Sequence, residues 1–430
     1  MSTISESNLD RHLRALAGEI GVRLAGTSEE HAAAEYIAEE FQKAGARVST
    51  ETFPVNVLSV EAQTLQIEIG GAWHEFPCSL FSSTPGTDGL PIEAPIVFFE
   101  APTEYQRPDL SHLRGKAVVH LGCHIESREQ YRRLMDAAPA FLLFVDVRYP
   151  GAVPLADGMF PAYTRALGAR PTVNVAYLDA WRWKVENASR ARLTVAGGMK
   201  PGASSNVIAD FPASDENAPI LYVGAHHDTQ ANSPGADDNA SGVSGLLELA
   251  RVLAHTPRRR TLRLISFGTE EQLSVGSADY VRRHRDEVAQ RGGFIFNLDS
   301  YGSWMGWTEV ICNGPAQLSN YLRPYFEREA LYPAFTAPIV PYADHFPFVA
   351  AGIPGVCLAR HNCIGGRFFH HRPDDDLSRV STPMMASHLS AAAAILADAL
   401  QCEALPFPSS IPEEQARQSQ LLWNDLFGGW

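Results

Sequence analysis

The stretch over residues 221–252, LYVGAHHDTQANSPGADDNASGVSGLLELARV, constrains the fold of this chain more than any other. Residues 221–225 are a short apolar run with β-branched and aromatic members, which fits a buried strand, and the run ends in His226-His227-Asp228. Side chains alternate along an extended chain, so His226 and Asp228 point the same way. Ser233-Pro234-Gly235 then breaks the chain. Asp237-Asp238-Asn239 follows just before a helix predicted from the apolar stripe Val243, Leu246, Leu247, Ala250 and Leu253. One capping side chain would be enough to start that helix. The surplus carboxylates lie beside a positive helix end, where they stay ionised, and ionised carboxylates near an imidazole suit a metal ion. Either piece alone is more often a polar pair or a cap, so further ligands have to come from elsewhere in the chain.

Length and charge narrow what these residues can serve. At ~100–200 residues per domain, 430 residues are expected to form about two or three units. A hydrophobic fraction of 45% is that of an ordinary globular protein. With 49 acidic against 35 basic residues the net charge is −14, which argues against a nucleic-acid partner. The N-terminus, MSTISESNLDRHLRAL, lacks a basic segment followed by an apolar one, and no run approaches ~18 apolar residues; a cytoplasmic protein with no membrane partner is expected. Cys78, Cys123, Cys312, Cys357, Cys363 and Cys402 form no Cys-x-x-Cys pair, which fits reduced thiols. Any metal must therefore rest on histidines and carboxylates.

Residues 8–20 carry Leu9, Leu13, Leu16 and Ile20 at near-helical spacing, and Thr27-Ser28-Glu29-Glu30 is a capping box that opens a second helix through Tyr36, Ile37 and Phe41. With a strand over 48–53, residues 1–53 are expected to be the N-terminal part of the catalytic domain. Residues 54–200 have a different texture: short apolar strands at 96–99, 117–122, 141–147, 172–177 and 192–196, few long helices, and Pro or Gly at nearly every junction. This predicts an inserted, smaller β-rich domain without a chemistry-bearing cluster. Over 201–404, strands at 206–208, 220–225, 262–267, 294–298 and 355–358 alternate with helices at 242–255, 277–286, 316–330 and 383–400. Such alternation predicts an α/β fold, a mostly parallel sheet flanked by helices. The tail, 405–430, has Pro406, Pro408 and Pro412 before a short helix over 413–427. That helix presents Leu421, Leu422, Trp423, Leu426 and Phe427, to be docked on the chain's own core or on a neighbour in a homo-oligomer.

Ligands of open parallel sheets gather at the carboxyl ends of the strands. Glu270-Glu271 follow the strand at 262–267, Asp299 follows 294–298, and His370-His371 lie in the loop after 355–358, so they join His226 and Asp237 at one end of the sheet.

In chain order, GAHHD, SPGADDNASGVSGLLELARVL, FGTEEQLSVGS, NLDSYG, DHFPFVAAGIPGV and HRPDDDL resemble metallopeptidase family twenty-eight over roughly residues 204–400. That family includes bacterial leucyl aminopeptidases, glutamate carboxypeptidase and, more distantly, glutaminyl cyclases. The resemblance implies a zinc aminopeptidase fold of the phosphorylase-hydrolase type. It also implies one divalent ion on His226 and Asp299, another on Glu271 and His371, and Asp237 bridging them, with Asp238 following across a cis peptide. Glu270 is then the general base, and Asp228 orients the His226 ring. One or two transition-metal ions are expected, zinc foremost, with manganese or cobalt as alternatives. Two such ions about 3.5–4 Å apart lower the pKa of a shared water toward ~7 and polarise a carbonyl. A glutamate that is not a ligand can take that water's proton and return it to the leaving nitrogen. Residues 51–200 resemble a protease-associated domain more loosely, through RGKAVVHLG and PTVNVAYLDAWRW.

Two positions depart from the family pattern: His227 stands where tyrosine is common, and Arg372 where a small hydroxyl residue is usual. Arg360, Arg367 and Arg372 crowd the loop that delivers His371, and an arginine fork suits a carboxylate. These three, with His345, are the candidate substrate-binding residues; ion pairing with Asp374, Asp375 and Asp376 is the plainer reading of the arginines. The expected function is metal-dependent hydrolysis of C–N bonds in a peptide or small molecule, an aminopeptidase foremost. Alternatives on the same metals are an aminohydrolase or amidohydrolase acting on a small carboxylate-bearing amine, a carboxypeptidase-like activity and a glutaminyl-cyclase-like one. A metal-free binding protein is disfavoured because every expected ligand and the base are present.

Overall fold

The alternating apolar runs of the second half of the chain form the sheet that carries the expected site. The structure is a computed structural model and describes residues 3–430 apart from 123, 124 and 126. It divides into two units: Met1–Val55, Gly202–Phe369 and Pro373–Trp430 in the first, and Asn56–Pro201 with His370–Arg372 in the second.

In the first unit the strands are β1 (Arg190–Phe211, from residue 202 on), β2 (Ile220–His226), β3 (Thr261–Phe267), β4 (Gly292–Leu298), β5 (Trp307–Asn313), β6 (Ala334–Thr336) and β7 (Gly355–His361). Their order across the sheet is β6-β5-β7-β4-β2-β3-β1. The four central strands β7, β4, β2 and β3 are parallel to one another. β5 and β1 close this core as antiparallel neighbours of β7 and β3. β2 and β4 are buried along their whole length, as expected of strands covered on both faces. Neither β5 nor β6 is among the expected strands. Trp307-Thr308-Glu309 opens β5 with polar and exposed positions, so its periodicity is weak near the edge of the sheet.

The helices are α1 (Glu6–Leu13), α2 (Ser28–Lys43), α3 (Gly242–Leu253), α4 (Val275–Arg283), α5 (Arg285–Arg291), α6 (Ala316–Arg328), α7 (His345–Ala350), α8 (Thr382–Gln401) and α9 (Glu413–Leu426). The expected first helix continues past α1 as a π-type turn, Arg14–Ile20. α2 is capped by Thr27, whose side chain accepts from Glu30 N; the Glu30 carboxylate reaches back to Gly26 N instead of closing the box on Thr27. α3 is buried nearly all round, the mark of a core helix. Its single acid, Glu248, accepts from Ser5 N at 2.6 Å and pairs with Arg251 at 2.6 Å. α8 is long and apolar enough to cross a membrane, against the expectation that no run comes near that length. Ten of its residues, among them Met385, Leu389, Ile395 and Leu396, are buried within the unit's main core.

In the second unit, residues 190–193 pair antiparallel with the strand Ile92–Glu100. That strand is followed in parallel by Ala117–Gly122, Phe141–Asp146 and Thr172–Asn174, with Ser79–Leu80 antiparallel at the edge. Helices Arg128–Asp136, Pro161–Leu167 and Tyr177–Val185 accompany them. The expected strand over 172–177 is therefore short and gives way to a helix, in which Trp183 is fully buried. Of the expected thiols, Cys78, Cys312, Cys357, Cys363 and Cys402 are free; Cys123 lies outside the described residues.

The tail docks on its own unit. α9 buries Trp423 completely in a cluster with Ala278 of α4 and Phe346 and Val349 of α7. Arg282 lies over the Trp423 ring at 4.7 Å and donates to Phe427 O at 2.6 Å. Trp423→Ala leaves a cavity in that cluster and is expected to destabilise the protein by ~3–5 kcal/mol, the range for a buried Trp or Phe truncation, as read from the urea unfolding midpoint.

Candidate metal centre

Loops at the carboxyl ends of β2, β3 and β4 assemble the site. β2 ends on His226, which is 1% exposed. Asp228, two residues on, is fully buried, and its carboxylate spans the next loop: Oδ1 accepts from Glu270 N at 2.9 Å and Oδ2 from Glu271 N at 3.2 Å. His226 Nδ1 lies 3.2 Å from the Asp228 carbonyl oxygen and 3.5 Å from Oδ1. One side chain thus sets the azimuth of the His226 ring and the entry of the Glu270-Glu271 turn. Thr269, Leu273 and Ser274 around that turn all have φ between 47° and 71°. Non-glycine residues in this left-handed region cost on the order of 1–3 kcal/mol each and collect at functional sites.

The other end of the His226 ring faces carboxylates. Nε2 is 3.2 Å from Asp238 Oδ1, 3.7 Å from Asp299 Oδ1 and 3.9 Å from Glu270 Oε2. His226, Asp238 and Asp299 form a buried set whose ligand atoms lie within 4.8 Å of one another. Burial works against a charged His226, but Asp228, Asp238 and Asp299 outweigh it and hold the imidazolium well above its ordinary range. Burial drives the Glu270 carboxyl well upward; His226 offsets part of this, and Asp344 and Asp299 add to it. Glu270 Oε1 also accepts from Ser274 Oγ at 3.1 Å.

Of the pair, Asp238 turns toward His226 where Asp237 was expected to. Asp237 Oδ1 instead accepts from Gly302 N in the loop after β4 at 2.8 Å and from Ser241 Oγ at 3.4 Å. The cis peptide is likewise one residue later than expected, at Asp238-Asn239. The Asp-Asp pair carries no spacing that fixes which member turns inward; the loop's backbone bonds decide it. Asp375 accepts from both Asp237 N and Asp238 N at 3.0 Å. Asn239 donates to Leu298 O at 2.9 Å and accepts from Gly242 N and Ser300 N. Gly235, at φ 57°, sits where a Cβ would meet Asp238 O at 2.3 Å, so the loop closes only over glycine.

The remaining expected residues divide. Glu271 follows Glu270 in the clamped turn, and its carbonyl accepts from Gln230 Nε2 at 3.0 Å. Arg367 pairs with Asp238, Nη2 to Oδ2 2.8 Å. Arg360 is committed to the frame: Nε donates to Ser303 O at 2.8 Å and Nη1 to Thr308 Oγ1 at 3.3 Å. His345 is fully buried, with Nε2 3.1 Å from Asn313 Oδ1 and its pKa pushed down to about 4 by burial. His371 and Arg372 belong to the second unit, in which the His371 carbonyl accepts from Ala156 N at 2.9 Å and Arg372 Nη2 donates to Tyr149 O at 3.0 Å.

Two residues of the site were not singled out from sequence. Asp344, in the DHFPF element, is fully buried, and burial pushes its carboxyl up to about 7. Arg23, also fully buried, donates from Nε to His227 O at 2.8 Å and from Nη1 to Leu16 O, Gly21 O and Pro234 O. A lone arginine in an N-terminal loop carries no pattern that announces such a role.

The donor set fits a metal ion: an imidazole and two carboxylates converge in a space where negative charge exceeds the cations that face it. A buried cluster of this kind beside an acid held ready to exchange a proton, on a parallel sheet, defines the class of metal-dependent hydrolases. The match with known proteins agrees. Residues 206–396, under half of the chain, match the family model Peptidase family M28, and the chain is a metallohydrolase similar to that family. Aminopeptidase YwaD of Bacillus subtilis is 26% identical over 423 residues, which span 96% of this chain and 88% of that protein. An aminopeptidase of Pseudomonas aeruginosa is 25% identical over 298 residues, about half of its own length (54%). Among solved structures, the peptidase M28 precursor from Shewanella amazonensis superposes with a TM-score of 0.78 at 18% identity, covering 95% of this chain and 96% of that one. BSAP, a zinc aminopeptidase from Bacillus subtilis, gives 0.74 at 22% identity, covering 96% and 98%. These likenesses show a shared fold.

The turn of Asp238 rather than Asp237 toward His226 has a direct test. Asp238→Asn is expected to lose most tightly held metal after dialysis, and Asp237→Asn to keep it, as measured by elemental analysis of the two purified variants. The reverse pattern would return the bridging role to Asp237.

Proposed function

We propose that this protein is an aminopeptidase that uses two zinc-type divalent ions and Glu270 as the general base. The observation that carries the reading is the buried meeting of His226, Asp238 and Asp299 with the Glu270 carboxyl 3.9 Å from the same imidazole. The names of the Bacillus subtilis relatives, an aminopeptidase and a zinc aminopeptidase, support the substrate class and the metal.

In this reading His226, Asp238 and Asp299 would hold one ion, and Glu271 would help to hold the other. When bound, the ions supply Lewis-acid polarisation of the scissile carbonyl and an acidified water. The chain's own residues do the rest. Glu270 accepts the proton of the attacking water at its carboxylate and passes it to the departing amine. Its raised affinity for a proton, a product of burial, suits it to hold that proton between the two steps. Asp228 keeps both His226 and the turn of Glu270 in register, so that base and ligands move as one body. Glu270→Gln is expected to retain metal and lose ~10²–10⁴-fold in kcat, assayed on an aminoacyl amide together with metal content; near-wild-type turnover with metal bound would remove Glu270 from the mechanism.

A second reading concerns the substrate. Arg367 is the arginine that reaches the cluster, through Asp238, whereas Arg360 is spent on Ser303 and Thr308. We infer that Arg367 recognises a carboxylate near the scissile bond if the substrate bears one. Arg367→Ala should then lower kcat/KM for a carboxylate-bearing substrate by the equivalent of ~2–5 kcal/mol, as for one partner of a buried charge pair, and spare neutral amides. Equal losses on both would leave Arg367 as a partner of Asp238 alone.

A further inference from the structure

Two loops of the first unit lie at the same end of the sheet as the metal centre and carry apolar side chains outward. Residues 299–306 follow β4, and residues 362–369 follow β7. They are fastened to each other. Asn362 Nδ2 donates to Ser303 Oγ at 3.0 Å, and Asn362 Oδ1 accepts from Phe368 N at 2.6 Å. Trp307 and His361 pair across the antiparallel β5–β7 ladder, and Gly306 packs against the His361 carbonyl so closely that a Cβ would lie 1.9 Å from it.

On this fixed frame Trp304 is 60% exposed, Met305 75%, Trp307 50%, Phe368 41%, and Ile364 is fully exposed. Taking about 150–250 Å² for a large side chain, these exposures amount to roughly 650 Å². That exceeds the ~300–600 Å² of the largest apolar patch on an ordinary monomer and approaches the ~800 Å² that each partner buries in a stable interface. It is also several times the area of any one substrate side chain. Met305 and Ile364 are the most exposed of the five, whereas Arg367, between Ile364 and Phe368 in the chain, turns inward to Asp238.

Charge selects the occupant. The chain carries −14 overall, yet residues 300–308 and 361–369 contain no Asp or Glu. Here two copies can meet with few carboxylates face to face, Glu309 at the rim being paired with His361 at 2.8 Å, and an apolar patch rich in Trp, Met and Phe complements itself across a two-fold axis. We propose that this lip is the interface of a homodimer, in which Trp304, Met305, Trp307, Ile364 and Phe368 of one copy pack against the same residues of the other. The proposal stands independently of the reaction. Because the loops begin one residue from Asp299 and contain Arg367, a second copy here borders the approach to the metal centre.

Light scattering on the full-length protein tests it. The wild type is expected to have twice the chain mass at micromolar concentration. The triple variant Trp304→Ser, Met305→Ser, Ile364→Ser, all at exposed positions, is expected to have the mass of one chain with an unchanged circular-dichroism spectrum. Should the triple variant not fold, Ile364→Glu serves instead: it sets like charges across the two-fold axis and should weaken association by about tenfold or more. A wild type that is monomeric at its solubility limit, or a dimer that survives these substitutions, overturns the proposal. Flotation with phosphatidylcholine vesicles that the wild type shows and the triple variant lacks would overturn it too, in favour of a lipid surface.

Discussion

The first unit is organised by an electrostatic debt at the end of its sheet. Asp228, Asp237, Asp238, Glu270, Asp299, Asp344 and Asp375 are all buried there. Two like charges 4 Å apart repel by ~4 kcal/mol even at an effective dielectric of 20, so the cluster exists only because each carboxylate is met by something else. Asp228, Asp237 and Asp375 meet backbone N–H groups. Asp238 and Asp299 meet His226, and Asp238 also meets Arg367. Where these partners fall short, burial raises the carboxyl's proton affinity, as it does for Glu270 and Asp344. A divalent cation removes that repulsion at its source, which makes metal binding and the stability of this end of the sheet one quantity.

Arg23 shows how the N-terminal segment enters this arrangement. Its guanidinium is held by carbonyls on both sides: Leu16 and Gly21 from its own segment, and His227, Pro234 and Gly235 from the two loops that deliver His226 and Asp238. Burial lowers its pKa to about 10, with Asp228 and Asp375 opposing the fall, so the charge persists at neutral pH. Residues 1–55 therefore fold with residues 202–369 and 373–430 although the second unit intervenes in sequence. Leu16 O and Gly235 O also accept from Gly21 N and Ala240 N, so without Arg23 it is the Gly21, His227 and Pro234 carbonyls that lose their donor, at ~1–3 kcal/mol for each group left unsatisfied.

What the sequence made legible follows from how local each signal is. The parallel core, β2, β3, β4 and β7, was readable because each strand is an apolar run bounded by turn residues, and the rule of strand ends then gathered His226, Glu270, Glu271 and Asp299. The strand β5, next to the edge strand β6, was not, because it opens on an exposed Trp307 and a half-buried Glu309. The choice between Asp237 and Asp238 was not either: adjacent aspartates differ by one position, and the bonds that turn one inward come from Asp375, Asn239 and Gly302, far apart in the chain or carried by backbone atoms. Arg360 looked like a substrate ligand beside Arg367 because composition places both in one loop region. Only the side-chain partners separate the arginine bound to Ser303 and Thr308 from the one bound to Asp238.

The tail extends this dependence on distant residues to the chemistry. α7 has six residues, too short to hold its own helix in water, where isolated helices need ~12–15 residues to be even marginal. Its conformation must therefore come from packing. Phe346 packs against Trp423 and Phe427 of the tail at ring separations of 6.4 and 5.4 Å, and Gly355 of β7 backs the helix so closely that a Cβ there would meet Val349 at 2.6 Å. The N-cap of this helix is Asp344, whose charge raises the proton affinity of Glu270. Packing that fixes α7 thus fixes where that negative charge sits relative to Glu270. The apolar face of α9, remote from every metal-binding residue in sequence, thus backs the helix whose N-cap is Asp344.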